Sequence, residues 1–281
     1  MKLKVSIALI AAGWLAAASA LHAQPTNELT PAQVQLHQLV QKVQEKIKAE
    51  KTGEADFADE LKSFDTLIAG EKSAHPDDAA QIAYMKGMLY LQVIKNVEKG
   101  GEVFKQLKAD FPDTKYGKGA DKVLAGIEKQ AAAKKIQDGL VAGTVFPDFA
   151  EKDLAGQPLS VGALKGKVVL VDFWATWCAP CRAELPNVIA TYKKHHGEGF
   201  EIIGVSLDSD RAKLDEFLKQ EDGMTWPQYF DGEGWGNKLA GKYGVESIPF
   251  AVLVGPDGKI IGKDLRGDKL EAAVAKAVTK K

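Results

Sequence analysis

The sequence predicts two folded domains, an all-α domain followed by an α/β domain with a partly parallel sheet. From Thr30 to about Lys135 the chain shows helical periodicity and almost no β-branched runs. From Gly143 onward, short β-branched apolar segments alternate with amphipathic helical ones. Between these regions, the segment AAAKKIQDGLVAGTVFP ends a helix and adds glycines, so we place the domain boundary between residues 138 and 139.

The first domain, residues 24–138, is predicted to be helical throughout. Its first helix should follow Thr30 as the capping residue, with Pro31 in the first turn, where no helical hydrogen bond is lost. Apolar residues recur near helical spacing at Val34, Leu36, Leu39, Val40, Val43 and Ile47. Further helices are predicted over residues 55–72, 77–96, 99–110 and 115–137.

Residues 83–124 resemble a tetratricopeptide-type helical hairpin. In such a hairpin Gly87 would allow the helices to cross closely, Tyr90 and Phe104 would fill the space between them, and Pro112 would end the second helix. A small helical bundle of another class fits the same pattern, because stacked repeats need about three units to bury a continuous core.

The second domain, residues 139–281, is predicted to be an α/β sheet domain. Its strands are predicted over residues 167–175, 201–208, 250–254 and 259–265, and its helices over 182–195, 209–220, 235–243 and 268–279. The turn sequence GPDG at residues 255–258 separates the last two strands, which should therefore form an antiparallel hairpin.

The first 23 residues have the order of a secretory signal peptide. Lys2 and Lys4 precede an apolar run, and small residues follow it around Ala20 and Ala23. An uncleaved membrane anchor is the alternative, but the run is shorter than the roughly 20 residues that a membrane span needs. The mature protein is therefore expected to be soluble and periplasmic, or otherwise extracytoplasmic. A net charge of -1 offers no basic surface for nucleic acid.

The two cysteines of the chain, Cys178 and Cys181, form one Cys-x-x-Cys pair directly after a predicted strand. Cys178 should lie at the start of a helix, where unpaired backbone N–H groups favour a thiolate. Cys181 follows one turn later and could resolve a mixed disulfide. Pro180 suits the first turn of that helix. This arrangement favours thiol–disulfide exchange, with an inert structural bridge as the alternative.

A Cys-x-x-Cys pair can also belong to a haem or a metal site, but this chain lacks the additional residues that such sites need. A c-type haem site needs histidine after the second cysteine, where this chain has Arg182. A structural zinc site needs two more ligands, and the sequence contains no second cysteine pair. We therefore expect no metal and no cofactor other than the redox-active disulfide of Cys178 and Cys181.

Residues 146–186, which include KVVLVDFWATWCAPCRAELP, and residues 244–258, GVESIPFAVLVGPDG, resemble the TlpA/ResA-like (redoxin) branch of the thioredoxin superfamily. The resemblance covers roughly residues 143–281. It implies a thioredoxin fold with an extra hairpin of strands at the front and a central αβ insertion near residues 224–238.

The resemblance also implies roles for several residues. Asp172 corresponds to a buried proton acceptor behind the second cysteine, unless it emerges into solvent at the strand end. Glu184 corresponds to a carboxylate that tunes the thiols, although a solvated helix face explains it equally well. Pro249 corresponds to the cis-proline that faces the cysteine pair.

Substrate contacts are expected at Trp177, Pro180, Ile248 and Pro249, with the Ile248 backbone free to pair with an extended substrate segment. The family implies an exported oxidoreductase that reduces protein disulfides with electrons from a membrane donor, and it suggests a role in cytochrome c maturation. One alternative is a thiol oxidant of the same fold. Another is a helical module that docks a protein partner, with the redox domain as a scaffold.

Overall fold

The computed structural model describes residues 30–279. The chain divides into two compact units between Lys129 and Gln130. The predicted boundary between residues 138 and 139 lies further along, at the end of a helix whose last turns belong to the second unit. The signal peptide predicted over residues 1–23 lies outside the described residues. Within the described part of the chain, no helix is long and apolar enough to cross a membrane.

The first unit is helical, as predicted. Its helices are α1 (Pro31–Lys48), α2 (Ala58–Glu71), α3 (Pro76–Met88), α4 (Val97–Asp110) and the first part of α5 (Lys115–Gly139). The α1 helix begins at a capping box, because the Thr30 hydroxyl accepts from Gln33 N at 3.2 Å and the Gln33 amide accepts from Thr30 N at 3.1 Å. Leu36, Phe57 and Phe64 lie in the core that these helices enclose.

The α3 and α4 helices form a close hairpin. A Cβ atom at Gly87 would lie 2.5 Å from the ring of Phe104, which is fully buried, so only glycine permits this approach. A π-helical turn, Leu89–Ile94, extends α3 and carries the buried Tyr90. The α4 helix ends at Asp110, just before Pro112. Gly87 and Phe104 pack as predicted, whereas Tyr90 belongs to the core that contains Leu36, Phe57 and Phe64 rather than to the cluster around Phe104. The tetratricopeptide class of the hairpin stays a prediction.

The second unit is an α/β domain built on a five-stranded sheet in the order β5-β4-β3-β6-β7. Its strands are β1 (Glu151–Lys152), β2 (Pro158–Leu159), β3 (Val168–Trp174), β4 (Phe200–Ser206), β5 (Gln228–Tyr229), β6 (Phe250–Val254) and β7 (Ile260–Lys263). Its helices are α6 (Ala179–His195), α7 (Arg211–Gln220), α8 (Lys238–Lys242) and α9 (Asp268–Val278). The β3, β4 and β5 strands are parallel, and β6 and β7 run antiparallel to their neighbours. This topology confirms the predicted thioredoxin fold.

The additions to that fold also appear. The β1 and β2 strands form a small antiparallel hairpin before the main sheet. The α7 helix and the β5 strand are inserted between β4 and α8, so the insertion begins earlier than the predicted 224–238. The helix predicted over 235–243 is confined to Lys238–Lys242, because Gly234–Gly236 form a 3₁₀ turn and Asn237 caps the helix that follows.

The last turns of α5 pack within the second unit. Gln137 Nε2 donates to Gly244 O at 2.7 Å, and Lys263 Nζ donates to Gln137 O. Gly244 has a φ of 65°, and a Cβ there would collide with the carbonyl of the buried Ala133. These contacts brace the chain just before Ile248 and Pro249.

Candidate active site

The cysteine pair lies where β3 leads into α6. Cys178 is the N-cap residue of α6, and its Sγ accepts a hydrogen bond from Cys181 N at 3.2 Å. The two sulfurs form a disulfide bond of 2.04 Å. The helix therefore starts at Ala179, earlier than the predicted 182, with Pro180 in its first turn. In the reduced protein a thiolate at Cys178 would be stabilised by the unpaired N–H groups of that turn.

Burial does not distinguish the two cysteines. Cys178 is 4% exposed and Cys181 is 3% exposed, while the flanking Trp177 is 53% exposed and Pro180 is also exposed. The capping position is what sets Cys178 apart, because its sulfur accepts from a backbone N–H at the positive end of the helix dipole.

A buried carboxylate fixes the loop before Cys178. Asp208 is 3% exposed and accepts from Thr176 N at 3.1 Å, from Thr176 Oγ1 at 2.6 Å and from Ser206 Oγ at 2.8 Å. Asp208 was not among the site residues predicted from the sequence. It follows the apolar strand EIIGVS, and the carboxyl ends of parallel strands β3 and β4 meet at one edge of the sheet, so that position was an available signal.

Asp172 lies within the central strand β3, between Gly204 of β4 and Ala251 of β6. Asp172 is 8% exposed, which excludes the alternative that its side chain emerges into solvent at the end of the strand. Burial raises the pKa of the Asp172 carboxyl from 3.8 to about 6. The positive charge of Arg266 opposes this rise, and the negative charges of Glu184 and Asp264 add to it. A carboxyl with such a pKa can exchange a proton near neutral pH.

Glu184 connects the start of α6 to the start of α9. Its Oε1 accepts from Gly267 N at 2.7 Å, and its Oε2 accepts from Asn187 Nδ2 at 3.2 Å. Glu184 is half-buried. Its charge raises the pKa of Asp172, so the side chain has both a structural contact and an electrostatic one.

We expect the Glu184→Gln substitution to lower the pKa of Asp172 below its value of about 6, because it removes a nearby negative charge. The amide oxygen can still accept from Gly267 N. Carboxyl ¹³C shifts of Asp172, followed by NMR across pH 3–8 in the oxidised protein, would measure the change. Glu216→Gln, on the exposed face of α7, is the matched control and should leave the titration unchanged. An unaltered Asp172 titration in Glu184→Gln would contradict the electrostatic contact.

The Ile248–Pro249 peptide bond is cis. It comes directly before β6, whose first residue, Phe250, pairs with Phe173 near the end of β3. Pro249 therefore lies at the sheet edge where β3 leads to the cysteines. Phe250 is 5% exposed, and its ring lies 5.8 Å from that of Phe173, so it belongs to the core.

The tryptophans near the site fall into two groups. Trp174 is a core residue, 1% exposed, and its Nε1 donates to the buried Gln228 at 3.0 Å. Trp177 is exposed, and its ring centroid lies 5.9 Å from that of Trp235, which is 48% exposed. Trp235 lies within the insertion predicted near residues 224–238, and no role was predicted for it. Within residues 30–279, no group of three or more His, Cys, Asp or Glu side chains is placed to hold a metal ion.

Comparisons with known proteins agree with this architecture. The redoxin family model matches residues 141–280. The thiol-disulfide oxidoreductase ResA of Bacillus cereus is 36% identical over 121 residues, which are 43% of this chain and 68% of that protein. ResA of Bacillus subtilis is 29% identical over 138 residues, covering 49% of this chain and 74% of that protein.

Among solved structures, the thioredoxin domain of a thiol-disulfide oxidoreductase from Bacteroides vulgatus is 37% identical. The match covers 50% of this chain and 99% of that chain, with a TM-score of 0.45. Three findings concern the same half of the molecule. They are the match to the redoxin family, the identity to ResA over more than two thirds of the length of ResA, and the topology of the sheet. The chain belongs to the TlpA/ResA-like redoxin family of thiol–disulfide oxidoreductases in the thioredoxin superfamily.

Proposed function

We propose that this protein is exported and reduces disulfide bonds in extracytoplasmic proteins through Cys178 and Cys181. The observation that carries the proposal is the position of Cys178 as the N-cap of α6, paired with a second cysteine one turn later. The Cys178 thiolate attacks one sulfur of the substrate disulfide, which breaks that bond and releases the other sulfur as a thiolate.

The second step closes the internal disulfide. Cys181 loses its proton and attacks Cys178 Sγ, so the mixed disulfide breaks and the substrate leaves fully reduced. Asp172 is the proposed acceptor for that proton, because burial raises the pKa of its carboxyl to about 6, a value suited to proton exchange near neutral pH. The protein has then lost two electrons to the substrate, and a membrane electron donor is proposed to reduce its disulfide back to the dithiol.

The proposed substrate groove lies around Trp177, Pro180, Ile248 and Pro249. Trp177 and Pro180 are exposed beside the disulfide, and Ile248 and Pro249 are half-buried at the same edge of the sheet. Their position allows an extended segment to pair with the Ile248 backbone. Apocytochrome c is one substrate that fits this role. A protein partner on the helical domain stays a prediction.

The reduction potential tests the direction of electron flow. We expect a value near that of thioredoxin, about -270 mV, and far from the about -120 mV of a strong thiol oxidant. The purified protein is equilibrated in buffers with graded ratios of reduced to oxidised dithiothreitol. Thiol alkylation and mass spectrometry then give the fraction of reduced protein and hence the reduction potential. A value near that of the oxidant would replace the proposed reductase with a thiol oxidant of the same fold.

A further inference from the structure

Two exposed tryptophan rings pack against each other, and one of them belongs to the residue before Cys178. Trp177 and Trp235 are 53% and 48% exposed, and their rings are tilted by 55° with 5.9 Å between centroids. Trp177 directly precedes Cys178 in the chain, so the backbone that carries one of the two rings adjoins the reacting cysteine. Large apolar side chains left in water at a site of this kind indicate a surface that a ligand covers.

The loops that carry the two rings are fastened to the same point, the carboxyl end of β4. Asp208 accepts from Thr176, next to Trp177, and also from Ser206 Oγ. Asn237 is 1% exposed, and its Nδ2 donates to Ser206 O at 3.3 Å. The polar contacts of Ser206 and Asp208 thus hold both tryptophan loops in a fixed relation.

The Trp235 loop has further polar support. Asp231 accepts from Glu233 N at 3.1 Å, from Asn237 Nδ2 at 3.0 Å and from Lys238 N at 2.8 Å. Gly232 and Gly234 have φ values of 80° and 55°, which glycine adopts readily. This bracing presents Trp235 as a rigid aromatic surface, and a rigid surface binds with a smaller loss of conformational entropy.

We propose that Trp177 and Trp235 form a clamp for an aromatic or large aliphatic side chain next to the reacting cysteine of an extended polypeptide substrate. The inference rests on the proposed reductase function and specifies its substrate. While the mixed disulfide with Cys178 exists, the residue beside the substrate cysteine must lie near the neighbouring Trp177. Apolar residues beside cysteines are mostly buried in folded proteins, so the substrate is an unfolded or extended segment.

The test compares two peptide substrates with reduced full-length protein. Each substrate is a disulfide-linked dimer of a short peptide with one cysteine, preceded by leucine in one peptide and by serine in the other. The Cys178 and Cys181 thiols supply the two electrons, and each dimer yields two peptide thiols. Stopped-flow rates under excess peptide give a selectivity ratio, leucine over serine, for each variant.

We expect the wild-type protein to favour the leucine peptide by about tenfold, and Trp235→Ala to bring the ratio close to one. Trp235→Phe should retain most of the preference, because it keeps an aromatic surface. Val145→Ala, at a residue 71% exposed in the same unit, is the matched control and should keep the wild-type ratio. Because each ratio is taken within one variant, a general loss of active protein cancels.

The outcomes separate the two proposals. If the wild-type protein reduces neither peptide, the proposed function fails and the clamp fails with it. If it reduces both peptides at equal rates, or if Trp235→Ala keeps the full preference, the clamp alone is wrong. A second copy of the chain could also occupy the two rings, and sedimentation velocity tests this. If the wild-type protein forms a dimer that Trp235→Ala dissociates, the rings serve self-association and the clamp is wrong.

Discussion

Replacement of Cys178 by serine is expected to abolish disulfide reduction, with a loss of at least about 10³-fold. A serine hydroxyl does not ionise at neutral pH, so the helix N-terminus that stabilises a thiolate has no anion to stabilise. Insulin reduction with dithiothreitol as the electron source measures the loss, after subtraction of the reaction that dithiothreitol gives alone.

Cys181→Ser is the matched variant, because it removes the other sulfur of the same pair. It should still attack a substrate and then stop, since no second thiol breaks the mixed disulfide. Mass spectrometry should find substrate attached to Cys178 in Cys181→Ser and no adduct in Cys178→Ser. If substrate is instead found attached to Cys181 in Cys178→Ser, Cys181 is the attacking cysteine and the assigned roles are reversed.

Replacement of Asp172 by asparagine is expected to stabilise the oxidised protein at neutral pH by about 3 kcal/mol relative to wild type. In the folded protein the pKa of Asp172 is about 6, against an ordinary value of 3.8. Between these values the folded state keeps a proton that the unfolded state has lost. Wild-type stability from this group is therefore fully present below about pH 4, falls through pH 4–6 and levels off above.

Urea unfolding at pH 4, 6 and 8 measures this difference, which should be smallest at pH 4 and full-sized at pH 8. Asp172→Asn should also slow the breakdown of the mixed disulfide by about 10²-fold, because asparagine accepts no proton. Asp222→Asn, at an exposed aspartate of the same unit, is the control for both measurements. A pH-independent stability difference would mean that Asp172 is charged in the folded protein.

The sequence was sufficient to predict the sheet and the position of the cysteine pair, because the patterns that indicate them are local. Val168–Trp174 is an unbroken apolar run apart from Asp172, as a central strand buried on both faces requires, and all seven of its residues are buried. The thiol pair followed from the order of strand, cysteine and proline. Asp172 was recognisable because a carboxyl in such a run is exceptional.

The polar support of the site could not be predicted in the same way. Asp208, Asn237 and Trp235 lie far from Cys178 along the chain, and they converge only because β3 and β4 are adjacent and parallel. Their local sequence reads as ordinary turn chemistry. The short α8 helix has the same cause, because the bonds of Asp231 and Asn237 replace the helical turn that periodicity suggested at 235–237.

The final turns of α5 have a practical consequence for anyone who dissects this protein. A redox fragment cut at residue 139 would lack Gln137 and Ala133, which leaves the Gly244 carbonyl without its donor and uncovers the chain ahead of the cis-proline. A cut before Gln130 retains both contacts. Weak catalysis by the shorter fragment would then report a damaged scaffold rather than a missing partner domain.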